Sequence, residues 1–213
     1  MGTTAQKRLV RRIDLERFLQ SVEAHPSPKA FLEQYSTPVD LASEMLFLVA
    51  YVHDDIIGKT VADLGCGTGR LAIGAVFLGA KESLGVDIDK EAVKIAKKSA
   101  EKLGLSKETC WVIGDIDVLR GRFDTVLENP PFGVQKRNAD RRFLLKALEL
   151  APSVYSLHKG GESNRAFIKR FIEGHGGNVT GIFPMKLNIP KQFKFHTKLK
   201  HEVEVDLYKI IGT

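Results

Sequence analysis

The segment Val61-Ala62-Asp63-Leu64-Gly65-Cys66-Gly67-Thr68-Gly69 constrains the fold of this chain more than any other. An apolar run that carries an acid and passes straight into alternate glycines reads as a buried strand, a tight turn and a helix beginning near Arg70. Glycines there let a ligand approach the backbone closely. The same logic then recurs along the chain. Leu84 to Val86 ends on Asp87, 22 residues after Gly65; Trp111-Val112-Ile113-Gly114 ends on Asp115; Phe123 to Leu127 ends on Glu128-Asn129-Pro130-Pro131-Phe132-Gly133. Helical periodicity covers Val39 to Val52, Lys90 to Leu103 and Arg141 to Leu150. Strands are expected at Thr60 to Leu64, Glu82 to Val86, Thr109 to Ile113, Phe123 to Leu127, Ser153 to Leu157, Asn178 to Pro184 and Glu202 to Ile210. Such alternation argues for an α/β domain: a mostly parallel sheet, helices on both faces, and ligands at the strands' C-terminal tips.

The tips carry the chemistry. The glycine spacing is Gly-x-Gly-x-Gly, not the Gly-x-Gly-x-x-Gly of a dinucleotide site, and Asp63, Asp87 and Asp115 beside it would repel a pyrophosphate but suit a sulfonium cofactor. An acid at the second tip commonly accepts ribose hydroxyls, which makes Asp87 the candidate for that contact. At the fourth tip, Pro130 and Pro131 turn the chain and bring no N–H of their own, so the Asn129 side chain and the Pro130 carbonyl are acceptors suited to the two hydrogens of a conjugated amine. Phe132 can stack on its ring. A bare Pro-Pro is more often a plain strand-ending turn; the three acidic tips upstream reverse that reading.

On these motifs the chain resembles the class I S-adenosylmethionine-dependent methyltransferases, and among them the amino-methyltransferases with an (Asp/Asn/Ser)-Pro-Pro-(Tyr/Phe) motif. Three further segments are similar to the methyltransferase-like-protein-five group of rRNA adenine-N6 methyltransferases: Leu32 to Pro38, Val154 to Lys159, and Phe193 to His196 with Glu202 to Leu207. A prokaryotic or archaeal member of that group is expected. The resemblance implies a single Rossmann-like domain over 1–213, with 1–38 an N-terminal helical and cofactor-closing segment and 39–213 the catalytic core. It also implies seven strands in the order 3-2-1-4-5-7-6 with the seventh antiparallel. Gln34, Tyr35 and Thr37 would close the methionine end of S-adenosylmethionine; Asp63, Gly65, Gly67, Thr68, Gly69 and Arg70 would frame it; Asp87 would bind ribose, and Asp115 with Ile116 the adenine. An arginine at a helix start normally faces solvent, so the Arg70 backbone is the expected contact. Eukaryotic members of the group work with a small zinc-binding activator, and the third strand, Thr109 to Ile113, at the implied sheet edge, is its expected dock.

Charge distribution points to the substrate. Net charge is +6, but residues 1–128 carry 17 Lys and Arg against 19 Asp and Glu, while 129–213 carry 15 against 7. Lys136, Arg137, Arg141 and Arg142 follow the Asn-Pro-Pro-Phe motif, and Lys186, Lys191, Lys194, His196, Lys198 and Lys200 are expected to fill a late loop that also holds Phe193 and Phe195. Basic residues interleaved with aromatics suit phosphate contact and base stacking; by themselves they fit a solvated surface loop with apolar anchors equally well, and their placement after the amine-holding motif points to RNA. His158, at the end of the fifth strand, has two readings, a substrate contact or a satisfied structural histidine. The basic N-terminus around Leu9, Ile13 and Leu15 reads as an amphipathic helix.

At 43% hydrophobic, 213 residues suffice for one cored domain. Two cysteines, Cys66 and Cys110, suggest a reducing compartment without a structural disulfide, no metal site is expected, and the absence of a signal core or an apolar run of ~20 residues suggests a cytoplasmic protein away from membranes. Guanine-N2 and glutamine-N5 methyltransferases would use the same amine-holding pair and stay open as alternatives, with a nicotinamide-dependent oxidoreductase and a non-catalytic RNA-binding scaffold further behind.

Overall fold

The computed structural model describes residues 9–28, 37–132, 139–190 and 200–212. Strands β1 (Thr60–Leu64), β2 (Glu82–Asp87), β3 (Thr109–Ile113), β4 (Thr125–Glu128) and β5 (Ser153–Lys159) run parallel. The last strand, β7 (Lys200–Gly212), is antiparallel to β5 and pairs with β6 (Gly177–Pro190), giving the order β3-β2-β1-β4-β5-β7-β6 that the resemblance implied. Around the sheet lie α1 (Arg12–Leu19), α2 (Val39–Phe47), α3 (Arg70–Phe77), α4 (Lys90–Lys102), α5 (Ala139–Leu150) and α6 (Glu162–Glu173).

Strand period explains the two cores. Val61, Leu127, Tyr155 and Leu207 point to the face packed by α1, α2 and α3, whereas their neighbours Ala62, Val126, Val154 and Tyr208 point to the face packed by α5 and α6. Apolar residues at successive positions are what a strand covered on both faces requires. Near the edge, Trp111 of β3 lies opposite Gly85 of β2. A Cβ at Gly85 would come within 2.5 Å of the indole and one at Gly69 within 2.4 Å, so glycine at both positions is what admits the ring. The side chain of Asp89 caps α4 by accepting from Glu91 N at 3.0 Å.

Four expectations change. The helix expected over Val39 to Val52 is α-helical only to Phe47 and widens into a π-turn over Leu48–Val52. In α1 the buried stripe is Leu15 and Leu19, one turn apart, while Leu9 and Ile13 stay 80% and 47% exposed. The sequence reading missed α6, although Phe167, Ile168, Phe171 and Ile172 have helical spacing and the two isoleucines are buried. Finally, β6 and β7 are longer than expected and take in Lys186, ion-paired with Glu202 at 3.0 Å, and Lys200, both expected in the late loop. Pairing of β7 with β5 stops at Lys159↔Val205, yet β6 and β7 stay paired from Lys186↔Glu204 to Pro190↔Lys200, so the hairpin runs on for five pairs. At ~3.4 Å per residue this is about 17 Å beyond the tip of β5, on the side where the parallel strands end. Both cysteines are free, and no helix among the described residues is long and apolar enough to cross a membrane.

Candidate functional site

The turn after β1 is built on left-handed backbone, with φ of 68°, 53° and 81° at Gly65, Gly67 and Gly69. Two of these glycines are hemmed in, but a Cβ at Gly67 would meet nothing within 4 Å, so the middle of the turn is open. Two carboxylates hold it. Asp87 accepts from Gly67 N and from Asp89 N, both at 2.8 Å, and Asp63 accepts from Ala72 N at 3.0 Å. Both acids are buried, and desolvation raises their pKa values, Asp63 to about 7; in each case a neighbouring aspartate adds to the rise. Such a pair favours a cation brought alongside. Thr68 is buried within the same turn.

Next to it, at the tip of β4, Asn129 Nδ2 donates to Thr37 Oγ1 at 3.1 Å, which spans 92 residues of sequence. The Thr37 carbonyl accepts from the Arg70 guanidinium, which also reaches the Val22 carbonyl at 3.4 Å. This corrects the expectation that the Arg70 side chain faces solvent. Its guanidinium is turned inward to brace the N-terminal segment, and burial lowers its pKa. Ser99 Oγ accepts from Glu23 N, and His25 Nε2 lies 3.4 Å from Asp89, so the stretch before residue 29 is tied to α4 as well. Pro130 is buried, Pro131 is half-buried, and Phe132 packs on the edge of the α1–α3 core.

Asp115 caps the short 3-10 turn Ile116–Val118 through Asp117 N and pairs with Arg142 at 2.8 Å; Arg142 also meets Asp117 at 2.6 Å. Arg141 lies 4.5 Å over the Phe167 ring. Both arginines that follow the motif thus have partners within the chain, Arg142 in exposed ion pairs with the acids of the third tip. Ile116 is buried, whereas Ile88, immediately after Asp87, is 58% exposed.

His158 is buried, hydrogen-bonds to Ser156 at 2.7 Å and lies edge-on to Tyr208, and burial depresses its pKa to about 3. Of its two readings the structure supports the structural one, because a neutral, enclosed imidazole offers nothing to a phosphate. Ser156 also donates to Glu128 at 2.6 Å, an acid the sequence reading did not single out. Gln34, Tyr35, Lys136, Arg137, Lys191, Lys194, His196 and Lys198 lie outside the described residues.

An acid-flanked glycine turn after β1, an Asn-Pro-Pro-Phe tip on β4 and an antiparallel seventh strand together define a Rossmann-like methyltransferase. Residues 35–173 match the family model described as methyltransferase small domain, and the chain belongs to that family. Among similar proteins, an uncharacterised protein of Methanocaldococcus jannaschii is 40% identical over 95% of this chain and 94% of its own length. A Drosophila melanogaster protein named rRNA N(6)-adenosine-methyltransferase Mettl5 is 40% identical over 93% of this chain and 96% of its own. The crystal structure of a candidate RNA methyltransferase from Pyrococcus horikoshii superposes with a TM-score of 0.88 at 43% identity, covering 96% of this chain and 99% of that one.

Proposed function

We propose that this methyltransferase moves a methyl group from S-adenosylmethionine to an exocyclic amine of RNA, with adenine N6 of small-subunit rRNA as the acceptor. One observation carries the reading: an amide side chain, Asn129, stands at the strand tip next to an open glycine turn whose buried acids favour a cation. The names of the fly and zebrafish relatives, 40% and 37% identical over nearly the whole chain, support the choice of acceptor.

The residues present fit the cofactor on two counts. Gly67 leaves room for a ligand against the backbone, and Asp63 and Asp87, each disfavoured as an anion by burial and by a neighbouring aspartate, gain from a positive charge. When bound, S-adenosylmethionine supplies a methyl group on a positively charged sulfur. Around it, Gly65, Gly67, Thr68, Gly69 and the Arg70 backbone would frame the ligand. Asp87 would receive the ribose hydroxyls with lone pairs beyond those used for Gly67 and Asp89, and Asp115, Ile116 and Ile88 would enclose the adenine. Gln34, Tyr35 and Thr37, within a closing segment 1–38 that precedes the core 39–213 of one domain, would shut the methionine end.

On the acceptor side, Asn129 Oδ1 and the Pro130 carbonyl would accept the two amine hydrogens, drawing density onto nitrogen and aiming its lone pair. Pro131 would keep that turn rigid and Phe132 would stack on the base, which has to leave its helix to reach the tip. The residues contribute mainly positioning and fixed dipoles. Lys136, Arg137, Lys191, Lys194, His196 and Lys198 would meet phosphates, the last four falling in sequence between the projecting β6 and β7. For a partner we propose a small zinc-binding activator adding a strand to β3. In support, β3 is the sheet edge, and Ile113 and Val118 are both more than half exposed around it. The proposed location is the cytoplasm.

The test is transfer of tritium from labelled S-adenosylmethionine to host RNA, RNA-free protein extract and free amino acids, followed by nucleoside analysis. Label is expected in N6-methyladenosine. In Asn129→Ala it should fall roughly 100-fold or more, as for loss of one preorganised donor or acceptor, with cofactor affinity by calorimetry near wild type. Retention of half the wild-type turnover would remove Asn129 from the amine, and label in protein alone would replace RNA with a glutamine acceptor.

A further inference from the structure

Glu128, Ser156 and His158 form a buried polar row on the face covered by α5 and α6. Ser156 is the register partner of Glu128 and donates to its Oε1 at 2.6 Å. Because that bond uses the hydroxyl proton, the 2.7 Å contact with His158 Nε2 has the imidazole as donor, which sets the tautomer of a neutral ring. His158 faces Tyr208 edge-on at 5.4 Å between ring centroids. It is also in register with Asp206, which takes two hydrogen bonds from Arg165 of α6, at 2.8 and 2.7 Å. Hydrogen bonds therefore link β5 to the last residue of β4 and α6 to β7, with His158 and Asp206 facing each other in register between the two sets. Apolar side chains would join these strands at lower desolvation cost, so the polar row calls for a reason.

That reason lies where the ladder ends. Backbone pairing of β4 with β5 stops at Glu128↔Ser156. Asn129 comes next, and Pro130 and Pro131 have no N–H with which to continue the pairing. The placement of Asn129 on the β4 side thus depends on how firmly Glu128 is held. We infer that Glu128, acting through Ser156 and His158, is a positioning residue for Asn129 in methyl transfer; this rests on the reading above that Asn129 holds the acceptor amine.

The row works with Glu128 as a neutral acid. Desolvation first, then Asp140 from α5 and Asp63 from β1, push its carboxyl up to about 8, while His158 on β5 is uncharged and Tyr208 on β7 keeps its proton, its pKa raised to about 12. Near neutral pH the carboxyl is protonated and receives the Ser156 hydroxyl without burying a charge. Above that range the lost proton leaves a carboxylate whose Oε2 has no hydrogen-bond partner among the described residues, and the tip of β4 must shift to solvate it.

The experiment compares wild type, Glu128→Gln and Ser156→Ala from pH 6 to 9.5, measuring kcat and KM for host RNA, and follows the side-chain amide resonances of Asn129, identified by their loss in Asn129→Ala. Wild-type kcat should fall about fivefold or more between pH 7 and 9 with KM for RNA steady, and the Asn129 resonances should move with the same midpoint. Glu128→Gln, an isostere of the neutral acid, should keep neutral-pH kcat within about twofold and lose both pH dependences, whereas Ser156→Ala should lower kcat roughly tenfold at neutral pH, the equivalent of one hydrogen bond. The spectra require no acceptor, so they decide the positioning role even if RNA proves not to be the substrate. Asn129 resonances that stay still across this range in wild type, or move equally in Glu128→Gln, would overturn the inference.

Discussion

Binding of S-adenosylmethionine is expected to expel a proton. Asp63 is buried beside the open glycine turn with its pKa raised to about 7, so close to half of the ligand-free molecules carry the carboxyl proton at pH 7. Were the sulfonium charge to come within ~6–8 Å, at an effective dielectric of ~20, it would be worth about 2–3 kcal/mol, or ~1.5–2 pKa units. That moves Asp63 to roughly 5 and releases about half a proton at pH 7, about 0.8 at pH 6 and almost none at pH 8.5. Asp87, raised by the same burial, adds in the same direction. Calorimetry in two buffers of different ionisation enthalpy measures the number directly, as the difference in apparent binding enthalpy divided by the difference in buffer enthalpy. S-adenosylhomocysteine, which lacks the sulfonium charge, should release distinctly less, and Asp63→Asn should abolish most of the effect. Identical enthalpies in the two buffers at pH 6 and 7 would refute the argument that these acids are kept in wait for a cation.

Glu128→Gln bears on stability as well. A carboxyl whose pKa rises from 4.5 to about 8 on folding keeps a proton that the unfolded chain releases, so its contribution to stability is fully present below about pH 4.5 and is lost as pH rises towards 8. Since Gln does not titrate, urea unfolding should find the variant gaining on wild type from pH 5 to 8.5 by on the order of 3–5 kcal/mol; a pH-independent difference would contradict the assignment. Gly85→Ala sets a Cβ within 2.5 Å of Trp111. The overpacking should cost about 1–3 kcal/mol and lower Tm by ~2–12 °C, with partial recovery in a Gly85→Ala/Trp111→Leu double variant. Charge reversal at Lys191, Lys194 and Lys198 should reduce the slope of log affinity for RNA against log salt by about 0.7–0.9 per lost phosphate contact, leaving cofactor binding intact. An unchanged slope would move the RNA elsewhere.

Much of this molecule could be read from local pattern. The strand, glycine turn and helix around Gly65, the acids at three tips and Asn-Pro-Pro-Phe at the fourth are short-range features whose chemistry depends on neighbours in sequence, and the structure puts all four tips at one end of a single sheet. The gaps have physical causes too. Helix α6 is signalled by paired apolar residues four apart, but Gly160 and Gly161 before it read as loop. The length of the β6–β7 hairpin depends on cross-strand pairing with no periodicity of its own beyond the sheet.

What the sequence alone determined was the class of fold and the inventory of groups at the strand tips, because backbone propensity and side-chain chemistry act over a few residues. Only the tertiary structure decided how those groups are used. Arg70, expected outside, turns in because carbonyls of Val22 and Thr37 come to lie beside it, 48 and 33 residues away in sequence. Arg142 is taken up by Asp115 and Asp117, and His158 by Ser156. The protonation of Asp63 and Glu128 is likewise beyond local pattern. A carboxyl's charge depends on how much water and which other acids surround it, and that is set by packing of β1, β4, β5 and α5 that no stretch of sequence contains.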